Sequence, residues 1–340
     1  MSTVPVELPV TKAQKEQAAE IAAKNIETKY GKGSLFSLAR RTNYVMPHIS
    51  TGIYGLDYNV LGIGGAPKGR ILEFYGPESS GKTTLALRIV GAAQAEGGLA
   101  AYVDVENALD PVWATKNTVD TKSLVVSQPD NGEEALDIVE MLIESGAYSV
   151  IVVDSVAALV PRAELEGEFG DSLPGLQARL MSQAMRKLST KVSKSQAVLI
   201  FINQIREKIG VMFGSPETTS GGRALKFFAS VRLDIRKADK IKEGEEIVGH
   251  IMKVKAVKNK VGTPYKETFV DLLFKSGIDT TGNLIDCAVE AGVIEKSGAW
   301  FSYKGERLGQ GKANSKEELN KNEALKSNII KDLKENMVKV

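Results

Sequence analysis

Residues 76–83 constrain this chain more than any other stretch. Gly76, Pro77, Glu78, Ser79, Ser80, Gly81, Lys82 and Thr83 fit G-x-x-x-x-G-K-[ST], a phosphate-binding loop. The context suits that reading. Residues 71–75 read as a short buried strand, and from Thr84 to residue 90 a helix opens directly behind the lysine. The two glycines let the backbone turn its N–H groups towards a phosphate chain, and the helix N-terminus adds partial positive charge. In such a loop the lysine, here Lys82, reaches the β- and γ-phosphates, and the hydroxyl, here Thr83, holds Mg²⁺.

Apolar segments at 99–106, 148–155 and 197–204 alternate with helical patterns near 133–144 and 175–193. Near-continuous apolar strands separated by helices predict an α/β fold, a mainly parallel sheet covered on both faces. Ligands of such sheets sit at the carboxyl ends of the strands. Glu106, Asp154, Gln204 and the phosphate loop all fall there. Beyond residue 231 shorter alternating segments (231–235, 249–257, 267–274) predict antiparallel additions to the same sheet. Gly277 opens a small C-terminal α/β lobe. A helix is expected over 11–30, capped by Thr11 and stopped by Gly31, Lys32 and Gly33. Its thin apolar stripe (Ala18, Ala19, Ala22, Ile26, Tyr30) allows packing on its own domain or on a neighbouring copy. The Gly-rich stretch between Gly52 and Gly69 reads as a linker region. The division is residues 1–43, helix and linker; 44–278, core; and 279–340, lobe and tail.

Composition narrows the function classes. Of 340 residues, 44 are Lys or Arg and 42 Asp or Glu, a net charge of +2, so a nucleic-acid partner requires a local patch rather than a basic chain. The one cysteine, Cys287, excludes an intrachain disulfide and suits a reducing cytoplasm. His48 and His250 stand alone, which argues against zinc. The N-terminus has no apolar secretory segment. The most apolar run, 150–160, is too short for a bilayer and contains Asp154, so no membrane role is expected.

Asp154 ends an apolar strand as the acid that orders Mg²⁺ through water does in phosphate-loop ATPases. Glu106 is the candidate for polarising an attacking water, against the reading of a plain structural acid. Asp104 should face the other side of the sheet. Gln204, at a strand end before a long loop, suits either a γ-phosphate sensor or a structural amide. Trp113, just after Asp110 and Pro111, is positioned to stack on a base in the same nucleotide site; burial in the core is the other reading. No Asn-Lys-x-Asp segment of the guanine-reading kind is found, which favours ATP. Two irregular stretches, about 164–175 and 205–222, are rich in Gly and Thr with basic residues around them, as a nucleic-acid phosphate chain requires. A mobile surface loop is the alternative. Ile209, Met212 and Phe213 could wedge between bases. Lys258 and Lys260 read as solvated strand charges or as cations reaching the γ-phosphate of an adjacent subunit.

Segments 76–84, 103–111, 152–159, 181–188, 201–206, 221–232 and 298–305, in that order, resemble bacterial RecA recombinases. The resemblance implies an RecA-type ATPase core. It further implies a DNA-dependent ATPase that forms ATP-bound filaments on single-stranded DNA. Such a filament pairs with homologous duplex, promotes strand exchange, and stimulates self-cleavage of SOS repressors of the LexA type. By position, Glu106 becomes the water-activating carboxylate and Gln204 the γ-phosphate sensor. Lys258 and Lys260 act across the subunit interface. Arg179, Arg186, Arg206, Ile209, Gly221 and Gly222 fall at DNA-contacting positions. Phe227 matches a position that couples ATP to the neighbouring subunit. The N-terminal helix matches the polymerisation helix, which settles its two readings. Three departures stand out: Trp113 in place of tyrosine, Pro174 in the first loop, and Arg223 where asparagine is frequent. The last residues, 315–340, mix Lys and Glu and are expected to restrain duplex binding weakly. A hexameric helicase-like motor and a regulatory paralogue are the competing readings. The lysine pair argues against the motor, and the complete set Lys82, Thr83, Glu106, Asp154 and Gln204 against the paralogue.

Overall fold

The computed structural model describes residues 11–32, 34–35, 45–168, 174–207 and 217–337, the Met337 side chain excepted. Residue contacts divide the chain into two units, Met1–Met46 and Pro47–Val340. In the first, α1 spans Lys12–Tyr30. The Gln14 backbone donates to the Thr11 hydroxyl and the Thr11 backbone to the Gln14 side chain, a reciprocal cap. Gly31, with φ +94°, ends the helix.

The second unit opens with β1 (His48–Ile49), a π-helical turn (Gly55–Val60), β2 (Ala66–Pro67) and β3 (Arg70–Gly76). Here the expectation of a linker is corrected. Ile49, Ile53, Leu56, Val60 and Leu61 are fully or almost fully buried in the main core. Buried Asp57 holds the turn together, accepting from the Ser50 hydroxyl (2.8 Å) and the Thr51 hydroxyl (2.7 Å). The glycines make room for close packing rather than for flexibility: a Cβ on Gly65 would lie 2.2 Å from the Ile49 carbonyl oxygen.

Then follow α2 (Lys82–Ala95), β4 (Leu99–Asp104), α3 (Pro111–Lys116), β5 (Val125–Ser127), α4 (Gly132–Glu144) and β6 (Tyr148–Asp154). Next come α5 (Arg162–Leu165), α6 (Leu176–Ser195), β7 (Val198–Glu207), β8 (Glu217–Thr219) and α7 (Ala224–Phe228). The chain continues through β9 (Val231–Glu243), β10 (Glu246–Asn259), β11 (Glu267–Leu273) and β12 (Gly277–Ile278). The sheet runs β12-β11-β10-β9-β3-β7-β6-β4-β5, with β8 on the end of β7. Strands β3 to β7 pair in parallel as expected. The boundary of the antiparallel part lies one strand later than expected, because β9 pairs β3 in parallel. Apart from short β8, which pairs antiparallel with the end of β7, antiparallel pairing in this sheet begins with β10. Apolar side chains on one face pack on α2 and residues 49–61, and those on the other on α4 and α6.

The lobe comprises α8 (Thr280–Glu290), β13 (Glu295–Ser297), β14 (Trp300–Tyr303), β15 (Glu306–Gln310), α9 (Gly311–Lys321) and α10 (Glu323–Met337). Its core includes Leu284, Phe301, Leu319, Ile329 and Leu333. The expectation of a tail from residue 315 is therefore corrected: through Met337 this segment is two helices, and its buried Ile329 and Leu333 hold the lobe together. Removing the last dozen residues would open that core as well as alter charge.

Candidate active site

The phosphate loop joins the end of β3 to α2, as the sequence predicts. Gly81 adopts φ +102° immediately before the helix, and a Cβ there would lie 2.6 Å from Met252 Sδ. Only glycine fits that turn. The loop and residues Lys82 to Thr84 line a pocket of about 240 Å³ with Trp113, His250, Leu272 and Phe274. Trp113 is half-buried and donates its indole N–H to the Thr84 hydroxyl (3.1 Å); it lines the pocket and also packs against the main core, so both readings of it hold in part. Asp110 is not among the residues lining this pocket; it caps α3 by accepting from the Val112 backbone (2.8 Å).

Lys82 is 8 % exposed, and its ammonium donates to the carbonyls of Gly76 (3.1 Å) and Pro77 (2.7 Å). Burial lowers its pKa, opposed by Asp154, Glu106 and Glu78. Thr83 donates its hydroxyl to Asp154 (2.8 Å), and buried Tyr102 donates its phenol to the same carboxylate oxygen (2.7 Å). Burial raises the pKa of Asp154, and these two hydrogen bonds oppose the rise.

Glu106 lies exposed in the turn just past β4. One of its oxygens accepts from the Gln204 side chain (2.9 Å) and from the Ser155 hydroxyl. Gln204 sits in register with Gly76, so sensor candidate and phosphate loop are adjacent across β7 and β3. Asp104 is buried and pins the same turn, accepting from the backbones of Ala108 (3.1 Å) and Leu109 (3.2 Å) and from Gln128 (3.1 Å).

The second irregular stretch is shorter than expected. Strand β7 continues to Glu207 and pairs with β8, setting exposed Arg206 opposite Thr218. Arg179 and Arg186 are exposed on α6. Gly221 is buried, with φ +78°, and a Cβ there would lie 2.8 Å from Val156 Cγ1; Gly222 is as close to the Ala178 Cβ. Both glycines therefore serve close packing on the start of α6 and on the turn after β6. Ile209 and the remainder of 208–216 and 169–173 lie outside the described residues.

Lys258 is not among the residues lining the phosphate-loop pocket. It donates to the carbonyls of Lys226 (2.7 Å) and Phe227 (2.8 Å) at the end of α7, where Phe227 is 68 % exposed. Lys260 is exposed two residues on.

Sequence reading missed Tyr102, His250, Leu272, Phe274 and Ser155. Tyr102 is in register with Val152, so its reach to Asp154 is a diagonal cross-strand contact that only the pairing reveals. His250, Leu272 and Phe274 come from the antiparallel strands, which no phosphate-loop motif predicts.

The residues fit a Mg²⁺-nucleotide. A glycine cradle at a helix N-terminus, the buried unpartnered Ser80 hydroxyl, and the hard oxygens of Thr83 and Asp154 are the donor set for phosphate and Mg²⁺. No group of three or more His, Cys, Asp or Glu suited to a metal occurs among the described residues, and Mg²⁺ shared with a phosphate chain needs none. Fold and site together define a phosphate-loop nucleoside triphosphatase with its site at the carboxyl edge of a mainly parallel sheet.

Comparison with known proteins narrows this class. The RecA N-terminal domain matches residues 17–279 and the RecA C-terminal domain residues 282–338. The chain is 58% identical over 323 residues to Protein RecA of Rhizobium leguminosarum bv. trifolii, covering 95% of this chain and 89% of that one. Protein RecA of Agrobacterium fabrum gives the same values. Among solved structures, the RadB recombinase aligns with a TM-score of 0.51 and 20% identity over 68% of this chain and 98% of that one, which speaks for the fold. The chain belongs to the RecA family. It is a DNA recombinase and repair protein with DNA-dependent ATPase activity. The family implies nucleotide and Mg²⁺ binding, and DNA and further copies of itself as partners. No helix among the described residues is long and apolar enough to cross a membrane.

Proposed function

We propose that this chain binds ATP with Mg²⁺ in the pocket of residues 79–84 and Trp113, and hydrolyses it while assembled as a filament on single-stranded DNA. The filament pairs with homologous duplex and exchanges strands. The observation that carries the reading is the convergence of Lys82, the bonded pair Thr83–Asp154 and the bonded pair Glu106–Gln204 at one sheet edge. Bound Mg²⁺ neutralises phosphate charge. Lys82 swings from the loop carbonyls to the β- and γ-phosphates. Trp113 stacks on adenine. Glu106 orients the water that attacks the γ-phosphorus and takes its proton, and ADP leaves. Gln204 has two amide hydrogens: one stays on Glu106 and the other is donated to a γ-phosphate oxygen, which reports triphosphate to β7.

Lys258 and Lys260 reach the γ-phosphate on the next subunit. Arg179, Arg186, Arg206, Ile209, Gly221 and Gly222 contact DNA, the two glycines through their backbones. The division is 1–43, polymerisation helix and linker; 44–278, ATPase core with the two DNA-binding loops; and 279–340, C-terminal lobe and tail. A LexA-type repressor is a further partner, and the compartment is the cytoplasm. The test is phosphate release with and without single-stranded DNA, wild type against Glu106→Ala. Strong DNA stimulation in the wild type, reduced about a hundredfold or more in the variant, is expected. A wild type indifferent to DNA would sink the reading.

A further inference from the structure

One peptide unit is held from both sides by side-chain amides. The Ser220 carbonyl accepts from Asn203 Nδ2 (3.1 Å), and the Gly221 N–H donates to Gln177 Oε1 (3.1 Å). These two backbone groups belong to the same peptide, which follows β8. Asn203 is fully buried on β7, and Gln177 is half-buried in the first turn of α6.

Neither amide has a free choice of orientation. Asn203 also donates to buried Glu73 (3.0 Å) and accepts from the Gln204 backbone (2.9 Å). Turned over, it would set oxygen against a carboxylate and NH₂ against N–H. Glu73 is fixed in turn by Arg232. Gln177 donates to the carbonyls of Val156 (2.9 Å) and Leu159 (3.2 Å), so reversal would set its oxygen against theirs.

Followed outward, both arms end on one atom. Asn203 holds the backbone of Gln204, whose side chain donates to Glu106 Oε1. Gln177 holds Val156, the neighbour of Ser155, whose hydroxyl donates to that same Oε1. The path from the Ser220–Gly221 peptide through Asn203 and Gln204 to Glu106, and back through Ser155, Val156 and Gln177, is a closed ring. Glycine at 221 is required by its positive φ and by Val156 and Met181, so the peptide cannot shift without moving α6 or the turn after β6.

We propose that Gln177 and Asn203 are positioning residues that clamp the Ser220–Gly221 peptide and thereby tie DNA bound beside β8 to the orientation of the Glu106 carboxylate. This rests on the DNA-dependent ATPase reading above. DNA that displaces β8 pulls on both arms at once. Because the arms meet on a single oxygen, Glu106 is released or re-aimed as a unit. Neither residue lines the phosphate-loop pocket; each acts through Gln204 or Ser155.

The experiment compares wild type, Gln177→Ala, Asn203→Ala and the double variant. ATP hydrolysis is measured with and without single-stranded DNA, with ATP titrations and thermal unfolding alongside. Alanine in the first turn of α6 favours the helix, so Gln177→Ala keeps its fold. Its DNA-stimulated kcat should fall roughly three- to thirtyfold. Its KM for ATP should stay within about twofold, since a group acting only on the reacting geometry leaves ground-state binding alone. The double variant should lose no more than the worse single variant, because a ring opened at one place is already open. Full DNA stimulation in Gln177→Ala, or losses that multiply in the double variant, overturns the clamp. A wild type indifferent to DNA overturns the functional reading and the clamp with it; a stimulated wild type with unaltered Gln177→Ala overturns the clamp alone.

Discussion

Lys82 and Lys258 make the same local arrangement in opposite surroundings. Each donates to two successive backbone carbonyls, Gly76 and Pro77 for one, Lys226 and Phe227 for the other. Burial lowers the pKa of both. Around Lys82 the charges are acids: Asp154, Glu106 and Glu78. Around Lys258 they are the cations Lys260 and Arg232, with Glu73 alone opposing. The first lysine completes a site within its own chain. The second stands in an unbalanced positive patch, a place that favours an anion from outside the chain. The difference separates a lysine whose opposing charges lie in its own chain from one that needs an anion from outside it, as the proposed in-trans role requires.

The largest expected effects test that division directly. Lys82→Ala and Lys258→Ala should each lower kcat in phosphate release by about a hundred- to thousandfold, the usual loss for one donor to transition-state charge. Only Lys82→Ala should weaken nucleotide binding by dilute, unassembled protein. Mixed together, the two variants should recover part of the activity, because some interfaces then carry an intact loop facing an intact lysine. No recovery at any ratio would break the comparison.

A smaller effect is expected from Tyr102→Phe. Buried Asp154 then keeps Thr83 and loses its other side-chain donor. Stability should fall by about 1–3 kcal/mol in urea unfolding. Since this bond lies inside one subunit, the loss should not be relieved by mixing with wild type.

The smallest effect concerns pH. A base whose pKa is lowered on folding binds its proton more weakly when folded, so stability rises with pH towards the unfolded lysine value of 10.5. Lys258→Met should flatten that rise in thermal unfolding. Added salt should also flatten it in the wild type, because part of the shift comes from like charges at the surface. A rise that salt leaves unaltered would assign the shift to burial alone and remove the contrast with Lys82.

The carboxyl edge of the parallel strands was legible in the sequence because each of its groups sits where an apolar run stops. Glu106, Asp154 and Gln204 are found by that rule, and Lys82 and Thr83 by the phosphate-loop motif. What pairing and packing decide was not legible. Residues 52–69 look like a linker in composition, yet Ile53, Leu56 and Val60 are core, because glycines mark close packing as readily as freedom. The end of β7 looks like loop because Arg206 and Glu207 are polar, yet β8 pairs with them across nine intervening residues. Gln177 carries no motif; its value comes from where α6 begins relative to Gly221.

Strand β10 carries both a support of the phosphate loop and the lysine proposed to act in trans. Met252 supports Gly81 beneath the chain's own phosphate loop, and Lys258 lies six residues further along the same strand. At about 3.3 Å per residue that is roughly 20 Å of extended backbone. Under the in-trans assignment, one strand is therefore a gauge between the nucleotide a subunit holds and the nucleotide it serves. The spacing of successive ATP molecules along an assembly is then written into the length of β10, and a change of pitch must bend that strand or slide one of its ends.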